Sequence, residues 1–152
     1  MPSPTELERT LRDASLRVTR PRLAVLAAVH DSPHADTKSI VAQARDELGD
    51  VSQQAVYDVL HALTAADLVR RIHVKGAAAR YEARVGDNHH HVVCRSCGAI
   101  ADVDCVVGEV PCLTASDDAG YQIDEAEVMY WGRCPECAQS SDRNRPTGER
   151  AT

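Results

Sequence analysis

Residues 36–64 read DTKSIVAQARDELGDVSQQAVYDVLHALT, and this stretch decides the architecture of the first half of the chain. Asp36 precedes Ile40, Val41, Ala44 and Leu48; Ser52 precedes Val56, Leu60, Leu63 and Thr64. Both sets recur at helical spacing. A short Asp or Ser side chain ahead of such a pattern accepts from the free N–H groups of a helix's first turn, so both positions predict helix starts. Gly49 closes the first helix, since glycine tolerates the left-handed backbone of a helix end. Residues 49–52 alone separate the two segments, and two short helices across so tight a turn fit a helix-turn-helix.

Upstream, Thr19 with Pro21 predicts another helix start, followed by Leu23, Leu26, Ala27 and His30. Ser3, Pro4 and Glu6 form a capping-box pattern that opens a helix to about Asp13. Downstream, residues 68–74 (LVRRIHV), then Lys75-Gly76, then Arg80-Tyr81-Glu82 read as two strands about a glycine turn. Helices followed by a hairpin make a winged helix-turn-helix, with Arg70, Arg71 and Lys75 on or near the wing. The alternative is a small helical bundle whose basic residues are merely solvated.

The net charge of −6 argues against nucleic acid only until it is divided. Residues 1–75 hold ten basic and ten acidic side chains, so the whole deficit lies from residue 76 on. Arg12, Arg17, Arg20 and Arg22 cluster with only Asp13 opposing them, and local patches rather than total charge set attraction to phosphate. The 152 residues include no Phe, one Trp and four Tyr, so the core is expected from Ala, Val, Leu and Ile. Small cores of that kind commonly gain stability from metal or dimerisation. No apolar run reaches the roughly 18 residues a membrane span needs. The N-terminal MPSPTELER lacks the basic and apolar regions of a signal peptide, which predicts a cytoplasmic protein.

Residues 84–91, with Gly86, Asp87 and Asn88, read as a polar hinge. Beyond it, strands are expected over 91–94, 99–105 and 121–131. Residues 106–117 are expected to be helical in part despite Pro111, and the polar tail from residue 140 to be disordered.

Cys94-Arg-Ser-Cys97 and Cys134-Pro-Glu-Cys137 are two CxxC knuckles. Each turn brings two thiolates to one ion, and four complete a tetrahedral shell suited to Zn²⁺; in a reducing compartment metal ligation outranks disulfides. The 36 residues between Cys97 and Cys134 exceed the usual zinc-ribbon separation, so intervening strands must bring the knuckles together. A redox-active CxxC is the alternative. His89 and His91 sit two apart, so both rings face one side of an extended segment. Glu82 lies at the end of the wing, His34 ahead of the third helix, and Asp102 on the next strand. Imidazoles with carboxylates suit Fe²⁺, Mn²⁺ or Zn²⁺; a solvated His run is the alternative. Cys105 and Cys112 read as buried thiols or a redox pair.

The order of winged helix, HHHVVCRSCG over residues 89–98 and a distal CxxC resembles the ferric uptake regulator (Fur) superfamily, from about residue 5 to residue 138. The stretches LRVTRPR (16–22), VSQQAVYDVL (51–60) and DNHHHVVCRSCG (87–98) look most like its actinobacterial FurA type, associated with repression of catalase-peroxidase genes and with peroxide or iron sensing.

The resemblance implies an α+β fold: a winged-helix DNA-binding domain over 1–83, the hinge over 84–91, a small α/β dimerisation domain with a four-cysteine zinc site over 92–138, and the tail over 139–152. It implies a homodimer that grips a near-palindromic double-stranded DNA operator. The regulatory metal, Fe²⁺ or Mn²⁺ with Zn²⁺ as a substitute in vitro, would be held by His34, Glu82, His89 and His91, with Asp102 a further ligand. Tyr57 matches a tyrosine that touches bases, and Arg17 a basic residue placed in the minor groove. Arg20, Ser52 and Gln54 join them as candidate DNA contacts. Asp58 and Ala55 depart from a common Arg and Thr. A third metal site of some relatives would need Asn88, His90, Glu109 and Ala126, and is expected to be absent or very weak. With no HExxH pair and no nucleophile motif, the chain is not expected to be an enzyme or to take a small-molecule substrate. A zinc-uptake regulator of the same superfamily is the rival reading.

Overall fold

The computed structural model describes residues 1–105 and 115–143. The chain divides into two compact units, Met1–Gly86 and the residues from Asp87 on.

The first unit holds α1 (Pro4–Asp13), α2 (Arg20–Asp31), β1 (Ala35–Asp36), α3 (Thr37–Leu48), α4 (Gln53–Ala65), β2 (Arg70–Ile72) and β3 (Arg80–Glu82). Each helix starts where a side chain can accept from its first turn. Ser3 and Glu6 close a reciprocal capping box, Thr19 accepts from the Arg22 N–H, Asp36 from Ser39, and Ser52 from Ala55. Between α3 and α4 the chain turns through Gly49 at φ 80°, which a side chain would strain. The Arg45 Nε–H donates to the Val51 carbonyl at 3.0 Å and pins this turn from α3. Leu11, Val25, Leu26, Val29, Ile40, Ala44, Val56, Leu60 and Leu63 bury the facing stripes of all four helices in one aliphatic core.

The sheet of this unit is antiparallel, in the order β1-β3-β2, with Arg70 opposite Glu82 and Ala35 opposite Tyr81. The wing strand expected over 68–74 is shorter. Leu68 N–H instead donates back to the Leu63 carbonyl, completing the end of α4, and β3 offers partners only from Arg70 to Ile72. The two-residue β1 carries no sequence signal, because its pairing is dictated by Tyr81 far along the chain.

The second unit holds β4 (His89–Cys94), β5 (Ile100–Asp104), β6 (Met129–Gly132) and α5 (Pro135–Arg143), with strand order β5-β4-β6. β4 runs antiparallel to β5 and parallel to β6. Three expectations need correcting. β4 begins at His89, inside the expected hinge, because His89 and His90 pair with Asp104 and Val103. The strand expected over 121–131 is confined to Met129–Gly132. In the parallel register His91 faces Met129, so residues before Glu127 would run past the start of β4 with no strand there to pair with. Finally, α5 continues to Arg143, past the expected start of the tail at 139. Residues 106–114 of the part-helix expected over 106–117, with the thiol of Cys112 and Glu109, and the tail from 144 lie outside the described residues. No helix among the described residues is long and apolar enough to cross a membrane.

Candidate metal centres and nucleic-acid interface

Cys94 ends β4, and Cys97 follows in a turn closed by the Gly98 N–H donating to the Cys94 carbonyl. Cys134 and Cys137 open α5, where the Cys134 carbonyl accepts the first helical bond, from Ala138. The two knuckles meet because β6 lies beside β4. Arg95 N–H donates to the Gly132 carbonyl at 2.8 Å, and the Arg95 guanidinium stacks over the Trp131 ring at 5.4 Å. This Arg95–Trp131 clamp carried no pattern in the sequence.

The four sulfur atoms lie within 4.8 Å of one another, with Cys97 Sγ 3.8 Å from Cys134 Sγ. Thiolates held about 2.3 Å from one tetrahedral ion stand about 3.8 Å apart, so the donor set fits a thiophilic dication. The electrostatics fit too. The backbone N–H of Cys134, then that of Cys97, lowers the Cys94 thiol to about 6. For Cys97, the backbone N–H of Ala99 favours the thiolate, but the thiols of Cys94 and Cys134 outweigh it and the net direction is upward. The thiols of Cys134, Cys97 and Cys94 push Cys137 up to about 12. One thiolate is stabilised by the fold; four side by side require a cation.

The nitrogen and carboxylate candidates occur as two sets, one in each unit. In the first, His34 sits at φ 64° just ahead of β1, fixed by its N–H to the Tyr81 carbonyl at 2.9 Å and by Arg80 Nη1 donating to its carbonyl at 3.3 Å. Its Nε2 stands 3.4 Å from Oε2 of the buried Glu82. In the second, the register pairs His91 with Asp102, and alternation puts His89 on the same face of β4. Asp102 Oδ1 is 3.6 Å from His91 Nε2 and 3.9 Å from His89 Nε2, and the two rings meet edge to face with centroids 4.9 Å apart. These separations exceed an N–H···O bond of about 2.7–3.2 Å. Donors about 2.1 Å from a shared ion stand about 3.0–3.4 Å or more apart, so the spacing within each set suits metal donors better than a direct hydrogen bond. Asp87, which sequence reasoning placed in a hinge, holds His89 Nδ1 at 2.5 Å and thereby orients Nε2 toward Asp102. His90 faces the other way, its ring edge-on to Tyr130.

The candidate DNA contacts lie on one unit. Arg17 and Arg20 are exposed at the start of α2, where the Arg17 carbonyl accepts from Arg22 Nη1 at 2.8 Å. Ser52 caps α4, and Gln54 and Tyr57 stand exposed on it. Gln54, Tyr57, Asp58, His61 and Thr64 of α4 line a groove of about 340 Å³ with Arg71 and Tyr81 of the wing strands.

A sequence profile described as the Ferric uptake regulator family matches residues 13–130 of this chain. The chain belongs to the ferric uptake regulator family. It is 65% identical over 147 residues to the transcriptional regulator FurA of Mycobacterium bovis, covering 96% of this chain and 100% of that one. It is 62% identical over 146 residues to ferric uptake regulation protein 2 of Mycolicibacterium fortuitum, covering 94% and 100%. Among solved structures, the Vibrio cholerae ferric uptake regulator superposes with a TM-score of 0.62 at 25% identity, over 84% of this chain and 98% of that one. The Fur-family chain is therefore a metal-responsive transcriptional regulator, not an enzyme. Regulators of this family bind DNA and act as dimers, and the mixed helix–sheet architecture matches their solved structures.

Proposed function

We propose that this Fur-family protein is a metal-dependent repressor of oxidative-stress genes, catalase-peroxidase among them, and/or of iron-responsive genes. It acts in the cytoplasm as a homodimer on a near-palindromic duplex operator. The winged-helix domain over 1–83 binds DNA, and the domain over 92–138 dimerises around a structural Zn²⁺ on Cys94, Cys97, Cys134 and Cys137. Regulation falls to Fe²⁺ or Mn²⁺ on His34, Glu82, His89, His91 and Asp102, donors that also accept Zn²⁺ in vitro.

The observation that carries the reading is the division of these donors. His34 and Glu82 pair in the unit that holds α4, while His89 and His91 converge on Asp102 in the other. An ion taking ligands from both sets selects one arrangement of the DNA-binding unit. If that arrangement fits the operator, metal affinity and DNA affinity reinforce each other by the same factor. An ion present at about 100 times its dissociation constant supplies about 2.7 kcal/mol, or about 100-fold in operator affinity. On the DNA side α4 enters the major groove with Ser52, Gln54 and Tyr57, while Arg17 and Arg20 meet the backbone and the minor groove.

His89→Ala tests the assignment. The variant should keep its zinc and lose the roughly 100-fold gain in operator affinity that Mn²⁺ gives the parent. Undiminished metal dependence in the variant would remove His89 from the site. A response to Zn²⁺ at free concentrations where Fe²⁺ and Mn²⁺ have no effect would assign the protein to zinc uptake instead.

A further inference from the structure

The exposed face of α4 carries an arrangement that the metal switch does not use. Gln54 Nε2 donates to Asp58 Oδ1 at 2.9 Å, one helical turn apart, and both side chains are exposed beside Tyr57. An ionised carboxylate can only accept, so the chemistry fixes which end of the amide faces it. The NH₂ group turns to Asp58 and the carbonyl Oε1 turns outward. No Lys or Arg occurs anywhere in α4, QQAVYDVLHALTA. At this point on the helix the groove-facing surface therefore offers the Gln54 carbonyl, the second N–H of its amide and the remaining lone pairs of Asp58.

We propose that Gln54 and Asp58 form an acceptor pair that reads an exocyclic amine, adenine N6 or cytosine N4, in the major groove and rejects guanine. Guanine presents two acceptors there, so its O6 would meet the outward carbonyl of Gln54 or the carboxylate of Asp58 where adenine or cytosine brings an amine hydrogen. Gln54 alone could turn its amide to donate or to accept. Bonded to Asp58 through one N–H, the amide cannot flip and its carbonyl stays outward, so Asp58 acts as a positioning residue for Gln54 as well as an acceptor. The charge of Asp58 also repels phosphate, leaving backbone attraction to the basic side chains of α2 and the wing. The inference rests on the reading that α4 lies in the major groove.

The test is selection from a randomised duplex library by the full-length, metal-loaded protein, for the parent, Asp58→Asn and Gln54→Ala. The parent should enrich A or C at one position in each half-site and deplete G there. Both variants should lose about tenfold of that discrimination, with the rest of the recovered sequence unchanged. In the parent, replacing the enriched adenine by purine, which lacks the N6 amine (or the enriched cytosine by 2-pyrimidinone, which lacks N4), should weaken binding about tenfold; in Asp58→Asn it should have little effect. The same base preference in parent and both variants, or enrichment of G under α4, would overturn the acceptor pair. Recovery of no common sequence by the parent would instead overturn the sequence-specific DNA-binding reading beneath it.

Discussion

His89, His91 and Asp102 show how little backbone geometry is needed to gather metal donors. Two imidazoles on alternate residues of β4 share a face, and the antiparallel register supplies the carboxylate opposite. The cysteines solve the harder electrostatic problem, and Cys97 is a sensitive place to test it. Cys97→Ser should leave three thiolates, lower zinc retention against a chelator, and lower the thermal midpoint of unfolding. Structural zinc sites in small domains contribute on the order of 10–16 kcal/mol to folding, so even partial loss is measurable. Unchanged zinc content in the variant would contradict a four-cysteine site.

His30 makes a prediction of a different kind. Burial lowers its pKa from the ordinary value, with Asp31 opposing the shift. The folded state then takes the proton less readily than the unfolded chain, so the stabilising contribution is complete above about pH 6.5. It should fall as the pH drops from there toward the lowered value. Denaturant midpoints for the parent and His30→Gln, measured across that range, should show a steeper acid loss for the parent. Parallel curves would contradict the sign.

At the scale of elements, the helices were legible because their start signals are local. Ser3, Thr19, Asp36 and Ser52 each accept from the backbone N–H three residues on, and the apolar periodicity follows directly. Strands were less legible because their limits are set by partners elsewhere. β1 exists only through Tyr81 and Arg80, and β6 stops short of residue 121 because the parallel partner β4 begins at His89. The same holds for the candidate sites. The CxxC turns and the alternation of His89 and His91 could be read within a few residues, whereas the meeting of His34 with Glu82 depends on the pairing of β1 with β3, which no local pattern announces. Asp87 and the Arg95–Trp131 clamp left no local trace at all.

The capping residues give the element-scale prediction. The backbone N–H of Ser39, then its side chain, lowers the Asp36 carboxyl below its ordinary value, against a smaller opposing effect of burial. A lowered carboxyl stabilises the fold above the ordinary pKa near 4, and that contribution is lost as the pH falls through the lowered value. Asp36→Ala should cost about 1 kcal/mol at neutral pH in chemical denaturation, and less toward pH 3. A cost that does not shrink in acid would mean that the charge at this cap is not what stabilises it.

For the whole molecule, the proposed function requires one exchangeable ion to link the two compact units. The first unit contributes the wing and α4, with His34 and Glu82; the second contributes His89, His91 and Asp102 and the four cysteines. The donor types separate the two roles. Four thiolates retain a soft ion tightly, whereas mixed imidazole and carboxylate donors exchange harder ions at concentrations a cell can vary. The most direct test is the operator affinity of the purified protein after mild chelation that leaves the cysteine-bound zinc in place, compared with the same protein reloaded with Mn²⁺ under anaerobic conditions. The expected result is a gain of about 100-fold on reloading. Equal affinity in the stripped and loaded states would contradict the linkage.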